Sequence, residues 1–169
     1  LGNLDDNLTP QPVAVDQGNH TQEKKLNRRF WPTIKNDYIE LTKETTGANI
    51  VLWPENIIPG KLHNDTIFIE ELQAIATHNN QSIVFGATDY KDSKFYNGLS
   101  VVTNEGLSKQ SYRKEKLMPF GEYIPYKKFF SLIGPKKILS RFEAFSPGKN
   151  EALLHVEGLQ LGGTICLES

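Results

Sequence analysis

The chain has 169 residues, enough for one domain with a real core, and its 38% hydrophobic and 23% charged content is that of a globular protein rather than a disordered one. Nineteen basic residues against twenty acidic ones leave a net charge of −1, which gives no electrostatic reason to expect nucleic acid as a partner. No stretch reaches the roughly 18 apolar residues needed to span a bilayer, and a single cysteine rules out an intrachain disulfide.

Residues 1–11 are polar, turn-rich and acidic at the start, so they read as a linker or tail, with residues 12–169 as the domain. Pro12 to Val15 fits a short strand, which Asp16-Gln17-Gly18-Asn19 then breaks. The basic cluster Lys24, Lys25, Arg28 and Arg29 is too short to signal an anionic partner and reads as a solvated helix face. Ile34, Tyr38 and Leu41 recur at helical spacing, with Gly47 as a stop beyond them. Ile50-Val51-Leu52-Trp53 is an apolar run bounded by turn residues, which predicts a buried strand ending at Pro54.

Ile69, Leu72 and Ala76 predict a second amphipathic helix between Asp65 and His78, and Ser82 to Thr88 reads as a strand. Phe95–Thr103 and Leu107–Lys114 form a predicted hairpin around Asn104-Glu105-Gly106. A loop-rich stretch with Gly121, Pro125, Gly134, Pro135, Pro147 and Gly148 follows. A last strand pair, Leu153–Val156 and Leu159–Ile165, turns at Glu157-Gly158. Strand, helix, strand, helix, strand and then hairpins indicate the α/β class with a mixed sheet. The last apolar run leads into Cys166 three residues before the chain stops, so we expect a fold truncated after its cysteine segment.

Three segments carry chemistry. Trp53-Pro54-Glu55 presents a carboxylate where a strand ends, because proline cannot continue a central strand. Tyr112 to Pro125 sets Lys114 and Lys116 against a Leu-Met-Pro-Phe-Gly turn, and Glu122 follows directly. Thr164-Ile165-Cys166-Leu167-Glu168 places a thiol at a strand terminus with an acid two residues on. Each has a plainer reading by itself: an exposed loop glutamate, a solvated hairpin end, a buried structural cysteine. Together they make a mechanism. A thiol needs a nearby base to attack an acyl carbon, a carboxylate can be that base, and a lysine can hold the developing oxyanion. The four histidines are scattered without ligand spacing, so neither a metal nor another cofactor is expected.

A glutamate after Trp-Pro, a lysine in Tyr-x-Lys-x-x-Leu-x-Pro-Phe-Gly-Glu and a cysteine in Ile-Cys-x-Glu, in that order, resemble the nitrilase (carbon–nitrogen hydrolase) superfamily. The run Pro119-Phe120-Gly121-Glu122-Tyr123-Ile124-Pro125 is similar to its apolipoprotein N-acyltransferase branch, as are Asp16-Gln17-Gly18-Asn19 and Tyr96-Asn97. The resemblance implies a nitrilase-like αββα sandwich and a ping-pong reaction. An acyl chain would pass from a phospholipid to a cysteine thioester, then to the N-terminal amine of a diacylglyceryl-cysteine lipoprotein. By motif, Glu55 would be the base, Lys114 the oxyanion lysine and Cys166 the nucleophile, with Glu122 and Glu168 as supporting acids. It also implies the extracytoplasmic, periplasmic face of a bacterial inner membrane, reached through a helix bundle that this chain does not contain. The chain departs from the branch at Leu167 and Leu26, where an aromatic residue is common, and at Lys116, where histidine is common. Two other readings stand beside this one: a soluble amidase using the same three residues, and a catalytically silent nitrilase-like binding module.

Overall fold

The computed structural model describes residues 10–55, 57, 62–125, 144–149, 153–163 and 165. Most of the expected tail, the middle of the loop-rich stretch, Cys166 and Glu168 lie outside them.

Strand β1 (Val13–Val15) leads to a short helix α1 (Gln22–Leu26), a 3-10 turn (Arg28–Phe30) and the longer helix α2 (Trp31–Glu44). Thr21 starts α1 by accepting a hydrogen bond from the Lys24 N–H, and α1 buries none of its residues. Lys24 and Lys25 lie in α1 and Arg28 and Arg29 in the 3-10 turn after it, and neither element buries a residue, so the basic cluster is solvated without forming a single helix face. Pro32 opens α2, where its missing N–H costs nothing. After β2 (Ile50–Leu52) come a 3-10 turn (Leu62–Asn64) and α3 (Thr66–Asn79), the latter capped by Asp65. Then follow β3 (Ser82–Lys91), β4 (Lys94–Thr103), β5 (Gly106–Arg113) and the hairpin β6 (Leu153–Val156) and β7 (Leu159–Gly162).

Most strand boundaries fall within one residue of the sequence reading, β5 ending at Arg113 rather than Lys114, and two differ by three residues. β3 runs to Lys91 rather than Thr88 because Asp92 and Ser93 both take positive φ and close a tight hairpin without glycine. The last strand ends at Gly162, so Ile165 lies beyond it, packed with 3% exposure against the core.

β1 to β5 form one sheet in sequential order, parallel from β1 to β3 and antiparallel from β3 to β5. The run Ile50 to Trp53 is apolar throughout because both sheet faces are covered. Val51 and Trp53 join Ile34, Tyr38, Leu72 and Phe85 in a core beneath α2 and α3. Ile50, with Leu52 against it, belongs to a second core with Val84, Tyr112, Leu154, Val156 and Ile165 beneath the β6–β7 hairpin. The fold is α/β, with helices, mixed sheet and a second sheet stacked in layers.

This topology brings three chain ends together. β5 lies antiparallel to β4, and β4 to β3, so β5 runs in the same direction as β2 and β3. The carboxyl ends of β2 and β5 and the opening residues of β4 therefore meet at one sheet edge, the usual place for a site in an α/β sheet.

Candidate active site

Glu55 leaves the sheet just after β2, and its Oε1 accepts a 2.9 Å hydrogen bond from Asn97 Nδ2 near the start of β4. The same amide nitrogen donates to Glu122 Oε1 at 2.6 Å. Lys114, the first residue after β5, places Nζ 3.1 and 3.0 Å from the two Glu122 carboxylate oxygens. Four side chains from three segments of the chain thus form one connected polar set. Lys114 is 2%, Asn97 5% and Glu122 8% exposed, whereas Glu55 is open to solvent.

The set is held by backbone as well as side chains. The Lys114 N–H donates to the Asn97 carbonyl, and the Lys114 carbonyl accepts from the Gly148 N–H, both at 2.8 Å. A Cβ on Gly148 would stand 2.2 Å from the Arg113 carbonyl oxygen, so only glycine lets the 144–149 segment come this close. Gly98 is required likewise, since its Cβ would lie 2.3 Å from the Tyr112 carbonyl oxygen. Glu122 caps its own turn: Oε2 accepts the Met118 N–H at 2.7 Å, and the Glu122 N–H donates to the Met118 carbonyl at 2.9 Å. Phe120, in the same turn, takes φ +62°, a conformation in which a bulky residue is strained.

Burial pushes the Glu122 carboxyl up, but donors from Asn97, the Met118 N–H and the Lys114 ammonium outweigh it and hold the group below the usual glutamate value. Glu122 thus stands as a carboxylate against the buried Lys114 side chain at this end of the sheet.

Residues 13–169 match the carbon–nitrogen hydrolase family. The chain belongs to that family. It is 31% identical to an apolipoprotein N-acyltransferase of Photobacterium profundum, over 92% of this chain and 32% of that protein. It is 32% identical to another of Vibrio parahaemolyticus, over 95% of this chain and 34% of that protein. The chain therefore spans about a third of the length of these relatives. A carbon–nitrogen hydrolase superfamily protein of Xanthomonas campestris shares the fold, with a TM-score of 0.57 and 16% identity over 81% of this chain and 48% of that one. An amidase of Nesterenkonia sp. AN1 does too, with a TM-score of 0.51 and 18% identity over 78% of this chain and 50% of that one. No helix among the described residues is long and apolar enough to cross a membrane.

Of the residues singled out in this carbon–nitrogen hydrolase chain, Glu55, Lys114 and Glu122 meet in the connected set. Cys166 and Glu168 lie outside the described residues. Ile165, immediately before the cysteine, packs into the core under the hairpin. Lys116 does not share the surroundings of Lys114. The strand ends at Arg113, the chain bends at residues 115 and 116, and Lys116 is exposed. In the sequence Asn97 stands out only within the resembling dipeptide Tyr96-Asn97, with no role attached to it. Its buried amide between two carboxylates is the feature that was missed.

Arg113 points to the opposite face, toward the helices. Its Nε donates to Asp89 Oδ2 at 2.7 Å, and the other Asp89 oxygen lies 3.2 Å from His63 Nε2. Burial raises the Asp89 carboxyl, but the Arg113 guanidinium and His63 overcome that and hold it below the ordinary aspartate value. A carboxylate depressed on folding adds stability that is present above its unfolded pKa of about 3.9 and is lost as pH falls through the folded value. Asp89→Asn is expected to cost at least about 1.5 kcal/mol at neutral pH, the scale of a charged hydrogen bond. It should also flatten the loss of stability on acidification. Urea unfolding at pH 7 and pH 3 measures both, and an unchanged acid dependence would show that the Arg113 pair does not anchor the end of β5.

Proposed function

We propose that this chain is the catalytic segment of an N-acyltransferase that carries acyl groups on Cys166. The reading rests on one observation above the others: Glu55, Asn97, Glu122 and Lys114 form a continuous polar set at the sheet edge. That set occurs in a chain about 30% identical, over more than nine-tenths of its length, to proteins named apolipoprotein N-acyltransferase. The donor is a phospholipid and the acceptor the N-terminal amine of a diacylglyceryl-cysteine lipoprotein, met at the periplasmic face of a bacterial inner membrane. The rest of the protein supplies the membrane helices.

In this mechanism Glu55 takes the Cys166 thiol proton as sulfur attacks the donor's ester carbon. The Lys114 ammonium faces the oxyanion that forms. Collapse breaks the ester bond, and Glu55 returns the proton to the departing lysophospholipid oxygen, leaving the thioester. The acceptor amine then attacks the thioester carbon, giving its proton to Glu55, and the amide forms as the cysteine sulfur leaves and recovers the proton. Glu122 holds the Lys114 side chain in place. Glu168, two residues past the nucleophile, is a supporting acid.

A ping-pong enzyme given donor without acceptor strands its intermediate. The full reading frame containing this chain, supplied with phospholipid alone, should gain one acyl mass in intact-protein mass spectrometry. Neutral hydroxylamine should remove it, and Cys166→Ser should not form a hydroxylamine-labile adduct. The same labile adduct on the serine variant would move the nucleophile elsewhere, and donor turnover into free fatty acid without any acceptor would mark an amidase-like hydrolase instead.

A further inference from the structure

We infer that Asn97 is a positioning residue which aims the Glu55 carboxylate by tying it to the Lys114–Glu122 pair. The inference rests on the reading of Glu55 as base and Cys166 as nucleophile. A primary amide nitrogen carries two hydrogens and no acceptor lone pair. Asn97 directs that nitrogen at one oxygen of each glutamate, 2.9 Å from Glu55 and 2.6 Å from Glu122. The amide nitrogen is thereby fully used, and Glu55 has one oxygen fixed and the other available to take a proton.

The surroundings make Asn97 suited to this task. It is 5% exposed, sits opposite Thr88 in the β3–β4 pairing, and receives the Lys114 N–H on its backbone carbonyl at 2.8 Å. Its backbone is therefore fixed by the strand that delivers the lysine, and its side chain reaches toward the loop that delivers the base. Glu55 follows Pro54 in a turn outside the sheet and is exposed. An exposed glutamate has free rotamers, and ordering it requires a partner that is itself ordered. Asn97 is such a partner. Aspartate at this position would have the same shape but offer oxygen in place of both hydrogens, setting a third carboxylate beside two others.

The experiment uses the full reading frame containing the chain and measures the rate at which iodoacetamide alkylates Cys166, as a function of pH. Thiol reactivity follows thiolate formation and needs no lipid. Glu55→Gln should slow alkylation at pH 7 by about 100-fold, the scale for a general base. Asn97→Ala and Asn97→Asp should each slow it at least about tenfold, the loss of a charged hydrogen bond. In the Glu55→Gln background, Asn97→Ala should cost less than about threefold more, since a residue that acts through Glu55 has nothing left to aim. Thermal unfolding of each variant separates loss of fold from loss of aim, and Asn97→Asp serves if the alanine variant does not fold. Wild-type alkylation rates in a folded Asn97→Asp protein, or multiplicative losses in the double variant, would overturn the inference. A Glu55→Gln protein that alkylates at the wild-type rate would instead overturn the reading of Glu55 as base.

Discussion

Lys114→Ala is expected to slow acyl transfer at least ~100-fold, whereas Lys116→Ala should stay within about fivefold of wild type. Both lysines lie in one short basic segment, and side-chain alternation alone would aim them to the same side. The tertiary structure separates them: Lys114 is buried against Glu122, and Lys116 is exposed beyond the end of β5. Truncating Lys114 removes the cation beside a buried carboxylate, which costs about 3–5 kcal/mol where such a pair is broken one-sidedly. Activity must therefore be normalised to folded protein. A second variant avoids the difficulty. Lys114→Met combined with Glu122→Gln removes both charges and leaves no unpaired buried carboxylate, losing only one of the two hydrogen bonds that the Glu122 oxygens accept from Asn97 and Met118, and should fold better than Lys114→Ala, yet be inactive. The assay is transfer of labelled acyl chain to a lipoprotein amine by the full reading frame. If Lys116→Ala is the dead variant, or the folded double variant is active, Lys114 does not hold the oxyanion.

Trp53→Ala should destabilise the fold by about 3–5 kcal/mol, the range for deleting a buried tryptophan. Its ring, 4% exposed, contacts Tyr38, Phe68 and Phe85 at centroid distances of 5.0, 6.3 and 5.4 Å. Its Nε1–H donates to Thr42 Oγ1 at 2.9 Å, and that hydroxyl donates to Asp16 Oδ2 at 2.7 Å. Trp53→Phe keeps most of the packing and loses the N–H, so about 1 kcal/mol is expected. Urea unfolding followed by circular dichroism measures both. Since Glu55 lies two residues on, the folded fraction of Trp53→Ala should also lose activity through misplacement of the base. A loss under about 1 kcal/mol for Trp53→Ala would show that the aromatic cluster does not support the end of β2.

The main elements were legible in the amino-acid order because each buries a face set by its own local period. Ile34 and Tyr38 mark α2, Leu72 and Ala76 mark α3, and Ile50 to Leu52 mark β2, with their partners in each case an unspecified apolar layer. Burial needs only the right residues at the right spacing, and a single segment carries that information. The extension of β3 was not legible. Asp89, Tyr90 and Lys91 look like a loop until Arg113, 24 residues beyond Asp89, pairs with it and makes its burial tolerable.

The same division holds at the site. Of the five residues singled out, Glu55, Lys114 and Glu122 meet in the connected set while Cys166 and Glu168 lie outside the described residues, and each of the five sits in a short motif whose chemistry is local. How the three connect could not be read from those motifs. That Asn97 joins Glu55 to Glu122, that Lys114 rather than Lys116 is enclosed, and that Asp16 reaches Trp53 through Thr42 all depend on contacts between segments far apart in the chain. A hydrogen bond is decided by distances of about 3 Å and by direction, and strand order and register set those distances. By itself the sequence determined the class of fold and the kinds of chemical group available. Only the tertiary structure decided which of those groups meet, because the strand order and directions bring the carboxyl ends of β2 and β5 and the start of β4 to the same end of the sheet.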